Sequence, residues 1–106
     1  MIPDKIKMQL AQDEMICLGT YINTSIFMLD KIYELKKDKR DLILLALFTA
    51  MRELVLTKLV VYKDTYNMRF SLAQACALHY FHTVNLGVPF DNTITKIVGI
   101  IDQKTC

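Results

Sequence analysis

Three potential metal ligands fall at regular spacing in the C-terminal half of the chain: Cys76, His79 and His82. A zinc site needs convergent ligands, four in a closed site or three plus water in an open one. Successive steps of three drift around a helix, so the ends of this set diverge by about 120°. A helical wheel turns Cys76 inward and both histidines toward solvent, and no fourth ligand is nearby in sequence. The expected state is a core cysteine with two surface histidines and no cofactor. A metal-dependent enzyme using Cys76, His79 and His82 stands as one functional alternative.

Lys58 falls on an apolar helical face with Met51, Leu54, Val55 and Tyr62. A desolvated lysine has a lowered proton affinity and can serve as nucleophile or base. The commoner arrangement lays the stem on the core with the ammonium in water, or pairs it with a carboxylate such as Glu14 or Glu34. The helical acids Asp13, Glu14, Glu34 and Glu53 form no Glu-x-x-His or Glu-x-x-Glu pair of the kind used by di-iron bundles. No Gly-rich phosphate loop, nucleophile elbow, CxxC pair or HExxH motif appears. No residue is assigned a catalytic role.

The basic concentration is Lys36, Lys37, Lys39 and Arg40, with Lys31 just before it. Such a cluster can contact phosphates, and a nucleic-acid-binding accessory protein using this turn is the second alternative. Asp30, Glu34, Asp38 and Asp41 are interleaved with the cations and weaken their field. The net charge of +2 is nearly balanced, unlike that of a chain covered in basic surface. Tyr62, Tyr66 and Phe70 lie near a turn, where they would stack on bases or staple helix ends.

The elements that must position these residues read as helices. The 106 residues make one domain, 53% hydrophobic and 23% charged. Thr20 to Leu86 contains neither glycine nor proline. The expected fold is all-α, a four-helix bundle on a long antiparallel hairpin, with helices near 4–36, 41–63, 71–86 and 91–103. Helix one begins at Pro3-Asp4. It carries the seam Ala11, Met15, Leu18, Ile22, Ser25, Leu29 and Ile32 in steps of four and three. A kink at Gly19 is the alternative to one continuous helix. Asp41 caps or begins helix two, whose segment from Asp41 to Lys63 is apolar nearly all round. Asp64 to Phe70 is the second turn. Ser71 and Gln74 have the form of a capping box for helix three, with Gly87 and Pro89 ending it. Asp91 caps helix four, although the β-branched run TITKIVGII also suits a strand. No internal repeat is evident.

Arg52, Glu53 and Lys58 sit within Leu42–Tyr62, so a membrane span is not expected. Three widely spaced cysteines, Cys17, Cys76 and Cys106, suit reduced thiols and an intracellular, cytoplasmic setting. The leading functional expectation is a small non-enzymatic interaction or regulatory protein, such as an adaptor, inhibitor or accessory subunit. Surplus apolar helix surface implies a homodimer or another protein partner. The interface candidates are Ala11, Met15, Leu18, Ile22, Leu29, Leu45, Leu56 and Val60.

Overall fold

A computed structural model of the chain describes residues 4–84 and 92–105. The element order is β1 (Lys5–Ala11), α1 (Gln12–Lys36), α2 (Lys39–Leu59), β2 (Thr65–Ser71), α3 (Leu72–Val84) and α4 (Asn92–Thr105). The all-α expectation is thereby corrected. The start of the expected first helix and the expected second turn are both strands.

Each of these strands alternates with period two, the signature of a half-buried sheet. Ile6, Met8 and Leu10 point inward from β1, and Tyr66, Met68 and Phe70 from β2, all buried. Lys5, Lys7 and Gln9, with Thr65, Asn67 and Arg69, point outward and are exposed. The strands pair antiparallel from Lys5↔Ser71 to Ala11↔Thr65, with Met8 opposite Met68 at the centre. A two-stranded ribbon is marginal alone and needs packing on helices. Here its six inward side chains join the hydrophobic core that the described helices share.

The chain folds as a duplicated strand–helix–helix unit, with β2 starting 60 residues after β1, at Thr65 against Lys5. At that offset Ile6, Met8, Leu10, Met15, Leu18 and Tyr21 match Tyr66, Met68, Phe70, Ala75, Leu78 and Phe81, and every one is buried. The register is symmetric about Met8–Met68, so an approximate two-fold axis passes through the ribbon there. α2 packs on β2 and α3, and α4 packs on β1 and α1 in the same relation. The duplication corrects the reading of a chain without repeats.

The expected helical hairpin is present. Val55 lies against Gly19 and Arg52 donates to Asn23 Oδ1. Further along, Phe27 of α1 and Leu45 of α2 line one groove, in keeping with the same antiparallel order. α1 runs unbroken through Gly19, where the absence of a Cβ permits close approach: an added one would lie 3.3 Å from Val55 Cγ1. Lys37 closes α1 in the left-handed region (φ 55°), its N–H donating to Tyr33 O. Asp38, rather than Asp41, caps α2, its carboxylate accepting from Arg40 N at 2.9 Å. Asp41 occupies the first turn, favourable to the helix dipole.

α3 begins with the expected capping box. Gln74 N donates to Ser71 Oγ, and Ser71 N donates to Gln74 Oε1. The first unit repeats half of it, with Glu14 Oε1 accepting from Ala11 N at 2.9 Å. Phe48 and Phe81 meet edge-to-face at 5.2 Å and join α2 to α3. Residues 92–105 are helix, with Ile94, Ile97 and Ile101 buried. The expected stop at Gly87 and Pro89 and cap at Asp91 lie outside the described residues.

Candidate nucleic-acid interface

The helices cover one face of the ribbon and leave the other open. On that open face the register sets Lys7 directly opposite Arg69, and Gln9 directly opposite Asn67. Lys5 lies beyond the cationic pair, and Thr65 lies beyond the amide pair. Lys104, from α4, reaches the same surface and donates to the Lys7 carbonyl. Lys7, Gln9, Asn67, Arg69 and Lys104 line a shallow cleft of about 360 Å³. No acidic residue points outward from either strand.

Two like charges facing each other across a sheet destabilise it. Among the described residues, no carboxylate forms an ion pair with Lys7 or Arg69. The ribbon therefore holds a repulsive pair on its open face, where an anionic ligand would relieve it. Asn and Gln at the neighbouring position supply both donors and acceptors. The face is thus dominated by a row of cations and amides, with no carboxylate, histidine or cysteine among its outward strand side chains.

The expected basic turn is in place, and two of its four charges, Lys37 and Arg40, have partners within the chain. Lys36, Lys37, Lys39 and Arg40 are all exposed at the α1–α2 junction. Arg40 pairs with Asp38 at 2.9 Å, and its guanidinium holds the Asp38 carboxyl below the usual range. Lys37 lies over the Tyr33 ring at 5.2 Å from its centroid.

Cys76 is exposed, not inward, because inward-facing Ala75, Ala77 and Leu78 set the buried side of α3. His79 instead pairs with Asp102 at 3.4 Å. His82 turns toward the Tyr21 ring, and burial together with the neighbouring His79 holds it below the usual imidazole range. Among the described residues no three His, Cys, Asp or Glu side chains are placed to hold a metal. Lys58 is exposed beside Ala50, Leu54 and Val61, the arrangement with its ammonium in water rather than desolvated. Glu14 meets Lys96, not Lys58, at 2.6 Å; this contact and the Ala11 N–H hold its carboxyl below the usual range.

Of the expected interface residues, Met15, Leu18, Ile22 and Leu29 are buried in the core of the chain itself. Ala11 and Leu45 are half-buried. Leu56 and Val60 are 54% and 82% exposed. Along α2, Ile43, Leu47, Ala50, Leu54 and Thr57, followed by Val61, fall in alternating steps of four and three; Ile43, Leu54 and Val61 are exposed, whereas Leu47 is half-buried against the core. This line borders a cleft of about 790 Å³ lined by Ala50, Glu53, Leu54, Thr57, Lys58 and Val61 among others. No helix among the described residues is long and apolar enough to cross a membrane.

Sequence reasoning missed the ribbon face because its members are far apart in the chain. The signal that would have found it is the pair of alternating heptapeptides, KIKMQLA and TYNMRFS, with Met8 and Met68 at matching centres. Comparison with known protein families, curated proteins and solved structures finds no match to this chain.

Proposed function

We propose that this protein binds double-stranded DNA by laying the β1–β2 ribbon into the major groove. The observation that carries the reading is the outward row of Lys7 opposite Arg69 and Gln9 opposite Asn67, without an acid among them. The major groove of B-DNA is about 12 Å wide and admits a two-stranded ribbon. Ribbon-reading proteins use this mode of docking. Arg and Lys suit guanine O6 and N7, and Asn and Gln suit adenine N6 and N7. Lys5 and Lys104, flanking the row, suit backbone phosphates. The deep, narrow major groove of A-form RNA would not accept the ribbon. In this reading the protein is a regulatory or architectural binder that acts through the ribbon face.

A mobility-shift series at 20–200 mM salt tests the proposal. A DNA duplex is expected to shift, with affinity falling steeply as salt rises. Lys7→Glu with Arg69→Glu is expected to abolish the shift, while Lys37→Glu with Arg40→Glu leaves most of it. Absence of a shift at low salt refutes the reading. So does stronger binding of an RNA duplex, or loss of binding only in the Lys37 and Arg40 variant.

A homodimer through α2 accompanies this reading. The line Ile43, Leu47, Ala50, Leu54, Thr57 and Val61 has coiled-coil spacing. Glu53 and Lys58 flank it with opposite charges, so a second copy would offer each a partner. Leu54→Glu is expected to turn a dimer into a monomer in sedimentation. A wild-type monomer at 100 μM contradicts this part.

A further inference from the structure

The duplicated backbone has approximate two-fold symmetry, but the side chains on its open face do not. At the 60-residue offset, outward Lys5, Lys7 and Gln9 correspond to Thr65, Asn67 and Arg69. A symmetric ribbon would carry the same residue at both positions of each corresponding pair. Here antiparallel pairing gathers unlike halves by chemistry. Lys7 pairs with Arg69 on one side of the central Met8–Met68 pair, and Gln9 pairs with Asn67 on the other. Lys5 and Ser71 extend the cationic end, and Ala11 and Thr65 the amide end. Lys104, whose ammonium rests on the Lys7 carbonyl, adds a further cation beside that pair.

We propose that the ribbon recognises an asymmetric duplex element, with G·C pairs under the Lys7–Arg69 end and A·T pairs under the Gln9–Asn67 end. This rests on the DNA-binding reading above and goes beyond it by stating what is read. Lysine and arginine donate to the two acceptors of guanine, whereas a carboxamide matches the donor and acceptor of adenine. Residues two apart on a strand are separated by about 7 Å. At about 3.4 Å per base pair, the centres of the two preferences lie roughly two base-pair steps apart. One chain supplies both strands of the ribbon, so no second copy is needed to complete this face. The elementary site is therefore not its own reverse complement, although two chains can bind two such elements.

The experiment is selection from a library of randomised DNA duplexes by the full chain, with electrophoretic separation and sequencing. The wild type is expected to enrich a short asymmetric unit, G·C at one end and A·T at the other, single or repeated. Lys7→Gln with Arg69→Gln is expected to reduce the G·C-end preference by roughly tenfold or more while leaving the A·T end. The reciprocal Gln9→Lys with Asn67→Lys is expected to move the A·T end toward G·C. All six outward positions are solvent-exposed, and circular dichroism verifies that each variant is folded. Enrichment of a unit that is its own reverse complement overturns the inference and leaves duplex binding standing. Binding without any positional preference does the same. Failure of the wild type to retain any duplex at low salt removes the DNA-binding reading and this inference together.

Discussion

Lys7 and Arg69 face each other across the ribbon, so replacing either with glutamine should stabilise the fold while weakening DNA binding. Directly opposed side chains start about 5 Å apart at Cβ, and long flexible stems allow their charges to separate to about 7 Å. Two unit charges at about 7 Å in water repel by roughly 0.6 kcal/mol. At 10 mM salt the Debye length is about 30 Å, which leaves roughly 0.5 kcal/mol; at 1 M it is about 3 Å and the repulsion is gone. Lys7→Gln and Arg69→Gln should each raise stability by about this amount at low salt. The double variant should gain little beyond either single one, since both remove the same repulsion. Urea unfolding followed by circular dichroism, run as a double-mutant cycle at both salt concentrations, measures the coupling. Each single variant should also lose about 5- to 160-fold in duplex affinity, the equivalent of about 1–3 kcal/mol for one base-reading side chain. A loss of stability, or a coupling unchanged between 10 mM and 1 M salt, refutes the opposed-charge argument. A stability gain with unaltered duplex affinity refutes the functional one.

Two further predictions concern the core and its caps. The Tyr21 hydroxyl is buried without a hydrogen bond of good geometry among the described residues, because the nearby Ser25 hydroxyl donates to the Tyr21 carbonyl; burial pushes the phenol up to about 12, against a smaller opposing pull from Ser25. Tyr21→Phe, which copies Phe81 of the second unit, should therefore raise stability by about 1 kcal/mol, seen as an increase of roughly 4–8 °C in Tm. Glu14→Gln keeps the Ala11 N–H bond, as Gln74 does at the matching position, and loses only the charge pairing with Lys96. It should cost about 0.2–1 kcal/mol at pH 7. Because the folded-state carboxyl titrates below its ordinary value of 4.5, the wild-type advantage is complete above the unfolded value. It is lost as pH falls through the folded one, so the gap between the urea midpoints of the two proteins should narrow progressively as pH falls below 4.5. A gap that does not change between pH 7 and strongly acidic pH would assign the effect to something other than the ion pair.

Much of the helical frame was legible in the sequence. Met15, Leu18, Ile22, Ser25 and Leu29 are buried as their spacing implied, because α1 packs one seam against its own chain. The Ser71–Gln74 box was readable because a capping box is local, satisfied within four residues. The strands were not readable in the same way. Pro3-Asp4 looks like a helix start, and Asn67 and Arg69 look like turn residues. What makes Lys5–Ala11 and Thr65–Ser71 strands is their pairing with each other across the whole α1–α2 hairpin. Strand preference reflects such packing more than any intrinsic backbone bias. The duplication is equally hidden, since between Lys5 and Val84 the matched positions share only Met8 with Met68 and Leu18 with Leu78. The candidate site follows from both: Lys7 and Arg69 are unremarkable separately, and become a site only when the ribbon forms. The same pairing explains why the basic run at Lys36–Arg40, obvious in one dimension, is the less suitable surface, with Arg40 already held by Asp38.

The central claim, that the ribbon enters the major groove of DNA, is tested most directly by guanine N7 methylation interference on a duplex selected by the protein. N7 projects into the major groove and is one of the two acceptors a lysine or arginine reads. Methylation at the guanines of the cationic end is expected to prevent binding, and a minor-groove ligand added to the same duplex to leave binding intact. Binding indifferent to N7 methylation and displaced by the minor-groove ligand would contradict that claim.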